Sequence, residues 1–217
     1  MKRIMAGIVT TLIFSAVSAF AADPGLYVNV NVGPTYGSDS NYKDSNTSSG
    51  PASVVKYDIG VVAGIAIGHD YGNNVRSEIE AVYHTEMARS ININGVGTAN
   101  YGSTVSSIGG LVSGYYDIKQ ASLAGLTPFV GAGIGVANVS IGNGYVAGSK
   151  AVNITDSAVF AYQLSAGASY QITPKIAAQI GYRYFATSNA DFHFTDGGSG
   201  KAEYATNDVL FGLRYKF

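Results

Sequence analysis

The amino-acid sequence predicts an all-β fold: an eight-stranded antiparallel transmembrane β-barrel of up-and-down topology, with short turns at one end and four long loops at the other. Three observations support this prediction. Eight segments alternate with a period of two between apolar residues and polar or small ones, as strands with two unlike faces do. Long and short connections alternate along the chain. After residue 21, no apolar run reaches the roughly 18 residues that indicate a transmembrane helix.

The alternation is clearest in the last segment, residues 207–217. Its apolar face consists of Val209, Phe211, Leu213, Tyr215 and Phe217. The opposite face carries Arg214 and Lys216. A strand between lipid and a polar lumen requires this contrast, so we expect the apolar face to point outward.

The third segment, residues 75–87, shows the same contrast. Its apolar face includes Val75, Ile79 and Tyr83. Its other face is strongly charged, with Arg76, Glu78, Glu80, His84 and Glu86. In a water-exposed sandwich these side chains would be solvated, whereas in a barrel they point into the lumen.

The remaining segments follow the pattern with smaller residues on the inner face. They are residues 25–36, 57–71, 104–116, 127–139, 158–172 and 176–186. In the fifth of the eight segments, Val130 and Ile134 alternate with Gly131 and Gly133. The face assignment of the fourth segment stays open.

The connections sort by length. The long ones are residues 37–56, 88–103, 140–157 and 187–204, and the short ones are 72–74, 117–126 and 173–175. Outer-membrane barrels have short periplasmic turns and long extracellular loops. We therefore expect both termini to be periplasmic.

The N-terminus has the layout of a secretory signal peptide. Lys2 and Arg3 precede an apolar stretch that ends in small residues, which predicts a signal peptide over 1–21 and a barrel domain over 22–217. The alternative, a membrane anchor, needs a longer apolar run. The chain has no Cys, so an exported protein of this sequence is stabilised without disulfides.

Composition argues against several classes of site. With 13 Lys or Arg against 14 Asp or Glu, the chain lacks the basic excess of a nucleic-acid binder. The three histidines, His69, His84 and His193, do not have metal-ligand spacing. The GAGIG run at 131–135 is not followed by a helix pattern that would make it a dinucleotide loop. We expect no cofactor and no metal.

Three stretches carry a resemblance to a known group: residues 129–136 (FVGAGIGV), 181–185 (GYRYF) and 213–217 (LRYKF). The sequence resembles small outer-membrane β-barrel proteins of the OmpA-like, opacity and surface-antigen type, often labelled "porin family". The resemblance implies an integral protein of the bacterial outer membrane, in contact with its lipid and lipopolysaccharide. It also implies delivery by periplasmic chaperones and the outer-membrane assembly machinery, since Phe217, with Tyr215 and Leu213 behind it, is similar to the signal that this machinery recognises.

Members of that group are typically structural, adhesive or immune-exposed, so the first hypothesis is a non-enzymatic surface protein whose loops bind a host or environmental ligand. Candidate loop contacts are Tyr42, Tyr101, Tyr145, Phe192 and Phe194. The alternative is a narrow channel for ions or very small solutes. A third hypothesis, a lipid A deacylase, meets an obstacle: Ser188 and Asn189 match the family's H-x-S-N motif, but Ala186 replaces its His, and His193 lies in a loop.

The inward faces also predict a network of charges in the lumen. Its members are Arg76, Glu78, Glu80, His84, Glu86, Arg183, Arg214 and Lys216. The heights of these residues along their strands allow Arg214 to reach Glu78 or Glu80. They allow Arg183 to reach Glu80 or Glu86. Unpaired buried charges are costly, so the acidic third segment predicts basic partners opposite it. The alternative is a hydrated lumen that conducts cations.

Deleting Phe217 should leave signal-peptide cleavage intact but reduce insertion into the outer membrane, because the deletion removes the end of the apolar face that resembles the assembly signal. The amount of heat-modifiable barrel in outer-membrane fractions measures this effect. A normal amount after the deletion would contradict the prediction.

Overall fold

The computed structural model describes eleven stretches of the chain. They are residues 25–38, 40–44, 53–93, 97–121, 124–141, 144–146, 149–152, 157–188, 190–193, 199–202 and 204–217. The predicted signal peptide lies outside them. None of the helical residues described forms a helix long and apolar enough to cross a membrane.

Eight long strands form the barrel. They are β1 (Leu26–Gly37), β2 (Gly60–Asp70), β3 (Val75–Ile93), β4 (Gly97–Asp117), β5 (Leu126–Ile141), β6 (Ser157–Gln171), β7 (Ile176–Thr187) and β8 (Ala205–Lys216). Each strand pairs antiparallel with the next one along the chain. The fold prediction of an eight-stranded up-and-down barrel is confirmed.

The pairing of the first strand with the last closes the barrel. β1 and β8 pair from Tyr27 opposite Lys216 to Gly37 opposite Thr206. Next to the Tyr27–Lys216 pair, the Phe217 backbone N–H donates to the Leu26 carbonyl over 3.1 Å. Closure leaves no sheet edge at the depth of the membrane, where an unpaired backbone group has no water to bind.

Tight turns join the strands at the end of the barrel that we call the short-turn end. Between β2 and β3, Gly72 and Asn74 have φ angles of 76° and 74°. Glycine adopts this left-handed region without steric cost, and asparagine tolerates it better than most residues. Asp70 Oδ1 also accepts a hydrogen bond of 2.9 Å from the Gly72 backbone N–H. The turn sequence therefore fixes the register of β2 against β3.

At the opposite, long-loop end, strand structure continues further than the sequence predicts. β3 and β4 contain 19 and 21 residues, so they occupy much of the predicted loop over 88–103. Four short strands extend the sheet from β3: Ser53–Tyr57, Ser40–Asp44, Ser199–Ala202 and Ala190–His193, in that order. We call these four strands the loop sheet. A separate hairpin joins Gly144–Val146 to Ser149–Val152.

The two faces of the barrel wall have opposite character. Outward side chains are apolar and exposed, such as Ile79 at 69% and Leu213 at 57%. Their inward neighbours, such as Glu78 and Asn29, are buried. This arrangement is the reverse of a water-soluble barrel and suits a wall that faces lipid.

The structure also settles the face assignment of β4, which the sequence left open. Ser107, Leu111 and Ser113 point inward and are buried, whereas Ile108 and Val112 are exposed on the outside.

Epitope tags should reveal the orientation of the barrel in intact cells. A tag within residues 40–50 or 191–200, at the long-loop end, should be reached by external antibody or protease, since long loops of such barrels face outward. A tag at Asn73, in a short turn, is the matched control and should be protected until the cells are permeabilised. Labelling of Asn73 in intact cells would show that the orientation is wrong.

Candidate functional site

The lumen is filled by buried polar and charged side chains rather than by water-accessible space. Nearly all come from even-numbered positions of β3 and β8 and odd-numbered positions of β1, β4, β6 and β7, which the pleat directs inward. Among the described residues, the buried ionisable members are Tyr27, Arg76, Glu78, Glu80, His84, Glu86, Tyr115, Asp117, Arg183, Tyr204 and Asp208. Their contacts form three layers along the barrel axis.

The layer nearest the short-turn end is centred on Arg76. Its Nε lies 3.0 and 3.1 Å from the two carboxylate oxygens of Asp117, and its Nη2 lies 3.0 Å from Asp117 Oδ1. Its Nη1 is 3.4 Å from Glu78 Oε1. That same oxygen accepts a hydrogen bond of 2.9 Å from the Tyr27 hydroxyl and one of 3.3 Å from Asn29. One guanidinium therefore compensates two buried carboxylates.

The middle layer joins β3 to β7 across the lumen. Arg183 Nη2 lies 2.8 Å from Glu80 Oε1, and both side chains are almost completely buried. The Gln163 amide donates to Glu80 Oε2 over 3.2 Å and to Ser113 Oγ over 2.8 Å. Charge-assisted hydrogen bonds of this length are among the stronger ones in proteins. This layer ties four strands together: β3, β4, β6 and β7.

The layer nearest the long-loop end contains His84. Its Nε2 lies 3.1 Å from Asp208 Oδ2, and its Nδ1 lies 3.2 Å from Ser107 Oγ. The Thr35 hydroxyl is 2.7 Å from Asp208 Oδ1 and 3.1 Å from Glu86 Oε1. The Thr35 hydroxyl therefore bridges the two carboxyl groups, and the imidazole contacts one of them, that of Asp208.

Aromatic side chains close this layer on the side of β7 and β8. The ring centroids of His84 and Phe185 are 4.8 Å apart, and those of His84 and Tyr204 are 6.3 Å apart. The rings exclude water from the His84–Asp208 contact, where both side chains are fully buried.

Several predicted members of the network have partners other than the expected ones. Arg183 meets Glu80, but Glu86 contacts Thr35 instead of Arg183. Lys216 lies at the rim, with its Nζ 3.5 Å from Asp70 Oδ2.

Arg214 also differs from expectation. It was expected to reach Glu78 or Glu80, yet its guanidinium carbon lies 5.4 Å from the centroid of the Tyr27 ring. Its Nη1 is buried and makes no hydrogen bond to the described residues. One reason is competition, because Arg76, on the same strand as Glu78, already contacts Glu78 Oε1.

Two acidic residues of the network escaped the sequence analysis. Asp208 shares the inward parity of Arg214 on the last segment, so the pattern contained the signal. Asp117 was placed in a turn, and β4 had no face assignment, so nothing in the pattern linked it to Arg76.

Small spaces remain inside the network. A cavity of about 30 Å³ is lined by Glu78 and Arg183 among others. Glu78 Oε2 and the Nε and Nη1 atoms of Arg183 are buried without a hydrogen-bond partner among the described residues. A space of this size holds about one or two ordered waters, which would satisfy such atoms.

One buried cluster in the lumen has the composition of a catalytic site but is not accessible to a substrate. Ser107, His84 and Asp208 are the residue types of a hydrolase triad, but all three are at most 1% exposed. The imidazole is also reversed: Ser107 contacts Nδ1 and Asp208 contacts Nε2, the opposite of the hydrolase arrangement. Within the described stretches, no group of three His, Asp or Glu side chains is placed to hold a metal ion.

The remaining candidates come from the connections that the sequence predicts to be long. Ser188 is exposed and follows the buried Ala186. The side chains of the other candidates fall outside those that the structure describes, namely His193, Tyr42, Tyr101, Tyr145, Phe192 and Phe194.

The Glu80→Gln substitution should lower the free energy of unfolding by about 3–5 kcal/mol, because Arg183 would stay buried with its charge unpaired. Unfolding in urea, followed by the loss of heat-modifiable mobility in gels, measures the change.

Asp70→Asn is the matched control for this experiment. Its partner Lys216 is half-exposed, so the loss should be below about 1 kcal/mol. Losses of equal size in the two variants would show that the cross-lumen Glu80–Arg183 pair contributes no more to stability than the rim pair of Asp70 and Lys216.

Comparison with known proteins supports the outer-membrane assignment. The chain is 26% identical to the outer membrane protein PagN of Salmonella typhimurium, with all of both chains covered. The structure is similar to that of OprG from Pseudomonas aeruginosa, with a TM-score of 0.64, 12% identity, and coverage of 89% of this chain and 96% of that one. It also resembles Neisserial surface protein A, with a TM-score of 0.51, 19% identity, and coverage of 89% and 97%. At these identities the structural similarities show the fold.

Residues 100–208 match the surface antigen family. This match spans half of the chain, from within β4 to the first four residues of β8. The chain is therefore an integral outer-membrane β-barrel that belongs to the surface antigen family.

Proposed function

We propose that this protein is a non-enzymatic surface protein whose barrel is a closed scaffold and whose extracellular loops bind a ligand on host cells or in the environment. The observation that carries the proposal is the division of the molecule into two parts. The lumen is blocked by three layers of hydrogen-bonded polar and charged side chains, whereas strand structure continues past the barrel into a sheet built from the loops.

The closed lumen argues against transport as the main activity. A conducting barrel needs a continuous polar path, and eight strands enclose little more space than side chains fill. Here Arg76, Arg183 and His84 each bind a carboxylate inside the lumen, at three different heights. A solute would have to break these contacts in succession, which supports a scaffold rather than a narrow channel.

The arrangement of candidate nucleophiles argues against catalysis. A hydrolase needs an accessible nucleophile with a base beside it. Ser107 is 1% exposed, so a substrate cannot reach it. Ser188 is exposed, but Ala186 stands where the deacylase motif has its His. Neither serine therefore has both access and a local base of the required kind.

Because the preceding points argue against transport and catalysis, the loops are the part of the molecule best suited to bind a ligand. Through the loop sheet, the backbone of the first long connection pairs with those of the second and the fourth. Loops held on a rigid scaffold commonly carry binding function. The family description, surface antigen, supports exposure of this end to the cell's surroundings.

We also propose contacts with the membrane and the assembly machinery. At the long-loop end, the outward-facing Tyr182 hydroxyl donates to Asn207 Oδ1, and the Asn207 amide donates to Ser38 Oγ over 3.0 Å. Such aromatic and amide groups suit the headgroup level of the outer leaflet, where lipopolysaccharide lies.

At the other end of the barrel, the exposed side chains of Leu213 and Tyr215 precede Phe217, in keeping with a signal for the assembly machinery.

Replacing residues 191–198 by a Gly–Ser linker of equal length should reduce adhesion of expressing cells to cultured host cells by about tenfold, since loss of central contacts typically costs a kcal/mol or more each. Cells that express the wild-type protein and cells that express the loop variant must contain equal amounts of heat-modifiable barrel, so that a difference in adhesion reflects the loop. A Gly–Ser insertion after Asn73, in a short turn, is the matched control and should leave adhesion unchanged.

Planar bilayers test the competing channel hypothesis with the same protein. We expect no stable unit conductance from the wild-type barrel. A wild-type barrel that conducts cations, and loses that selectivity in the Glu78→Gln, Glu80→Gln double variant, would contradict the closed scaffold. Adhesion that is unchanged by loop replacement would contradict the binding role.

A further inference from the structure

We propose that the short-turn end of the lumen is a binding site for a phosphate group, either free or in a phospholipid headgroup. This role is separate from the proposed surface function. The site is a pocket of about 160 Å³ between the inner wall and the β6–β7 turn, and it is lined by Tyr27, Arg214, Lys216 and Lys175 among others. It is about five times larger than the cavity beside Glu78.

The charge of the lining favours an anion. Arg214, Lys216 and Lys175 line the pocket together with one carboxylate, that of Asp70. Asp70 Oδ2 lies 3.5 Å from Lys216 Nζ, in a partly exposed pair. Two of the three cations in the lining, Arg214 and Lys175, therefore form no salt bridge with this carboxylate.

The carboxylates next inward from the pocket already contact Arg76, although Glu78 Oε2 has no hydrogen-bond partner among the described residues. Arg76 contacts both oxygens of Asp117 and one oxygen of Glu78. The Tyr27 hydroxyl donates to that same Glu78 oxygen. These contacts direct the inner acidic groups toward Arg76, and they leave the guanidinium of Arg214 facing the pocket.

Arg214 provides the pocket with an unused hydrogen-bond donor. Its Nη1 is buried and has no hydrogen-bond partner among the described residues. A buried donor without a partner is destabilising, and a phosphate oxygen would remove that cost. The Tyr27 ring, with its centroid 5.4 Å from the guanidinium carbon, helps to hold the group. A planar guanidinium matches phosphate geometry better than an ammonium does.

The surroundings of the pocket give two sources for the phosphate. Its wall is held at the rim by backbone contacts such as Lys216 N–H to the Lys175 carbonyl, 2.8 Å. The outward tyrosines Tyr170 and Tyr215 mark the headgroup level at this end. A phospholipid at the rim and a free phosphate from the periplasm can both reach it. The Arg76 layer lies next inward, so a bound anion would not pass through.

Titration of inorganic phosphate into the mature barrel, held in phosphate-free maltoside micelles, tests the site. The backbone amide of Ala177, which pairs with Arg214, reports binding by NMR in every variant. We expect a saturable shift whose apparent Kd rises about tenfold in Arg214→Gln, because the best-matched donor is lost. Lys175→Gln combined with Lys216→Gln should weaken binding by about fivefold and keeps the test valid if Arg214→Gln fails to fold.

Lys119→Gln is the matched control, since Lys119 is exposed in another short turn and does not line the pocket. It should change the Kd by less than about twofold.

In a second arm of the experiment, the barrel is placed without phosphate in nanodiscs of phosphatidylglycerol or of an uncharged sugar lipid. A shift of the Ala177 amide signal in phosphatidylglycerol alone identifies a lipid headgroup as the ligand, and a shift with inorganic phosphate identifies a free anion. No saturable response in either arm, or an equal effect of Lys119→Gln and Arg214→Gln, would overturn the proposal.

Discussion

The structure depends on one constraint: every backbone N–H and C=O group at the depth of the hydrocarbon must find its partner within the protein. Pairing of β1 with β8 meets that demand and turns eight strands into a closed wall. Closure then sorts the side chains, because alternate residues of every strand must face either lipid or the lumen. The apolar exterior and the polar interior are both consequences of this one closure.

The polar interior creates a second demand, since charges removed from water need partners. Long side chains reach those partners because small ones lie beside them. A Cβ at Gly68 would lie 2.3 Å from the Tyr27 ring, and one at Gly133 would lie 2.2 Å from Ser113 Oγ. The glycines of β2 and β5 thus provide the volume that the hydrogen-bonding side chains occupy. Their abundance in the inner faces is part of the same packing.

The strands could be predicted from the sequence where the two environments of the barrel wall, lipid and lumen, differ most. Lipid and lumen impose opposite preferences on neighbouring residues, so the alternation in the third and eighth segments identified both the strands and their faces. Beyond the membrane both faces of a strand meet water, and the contrast disappears. For that reason the outer halves of β3 and β4 and the loop sheet looked like loops in the sequence.

Side-chain partners were harder to predict than strands. Register and height showed that Arg183 could meet Glu80, because the two face each other across the lumen. They could not show that Arg76 would occupy Glu78 and leave Arg214 against Tyr27. That outcome depends on competition between two guanidinium groups for one carboxylate, which strand spacing does not encode.

The loop sheet has a consequence for how proteins of this design can diversify under immune selection. Its strands are joined by backbone hydrogen bonds, for example between Ser40–Asp44 and Ser53–Tyr57. Such bonds do not depend on which side chains the residues carry, except for proline. Escape from antibodies can therefore proceed by exchanging side chains in these strands, while insertions and deletions are confined to the segments between them. The same loops can therefore change the side chains that antibodies contact and keep the backbone pairing that holds the loop sheet together.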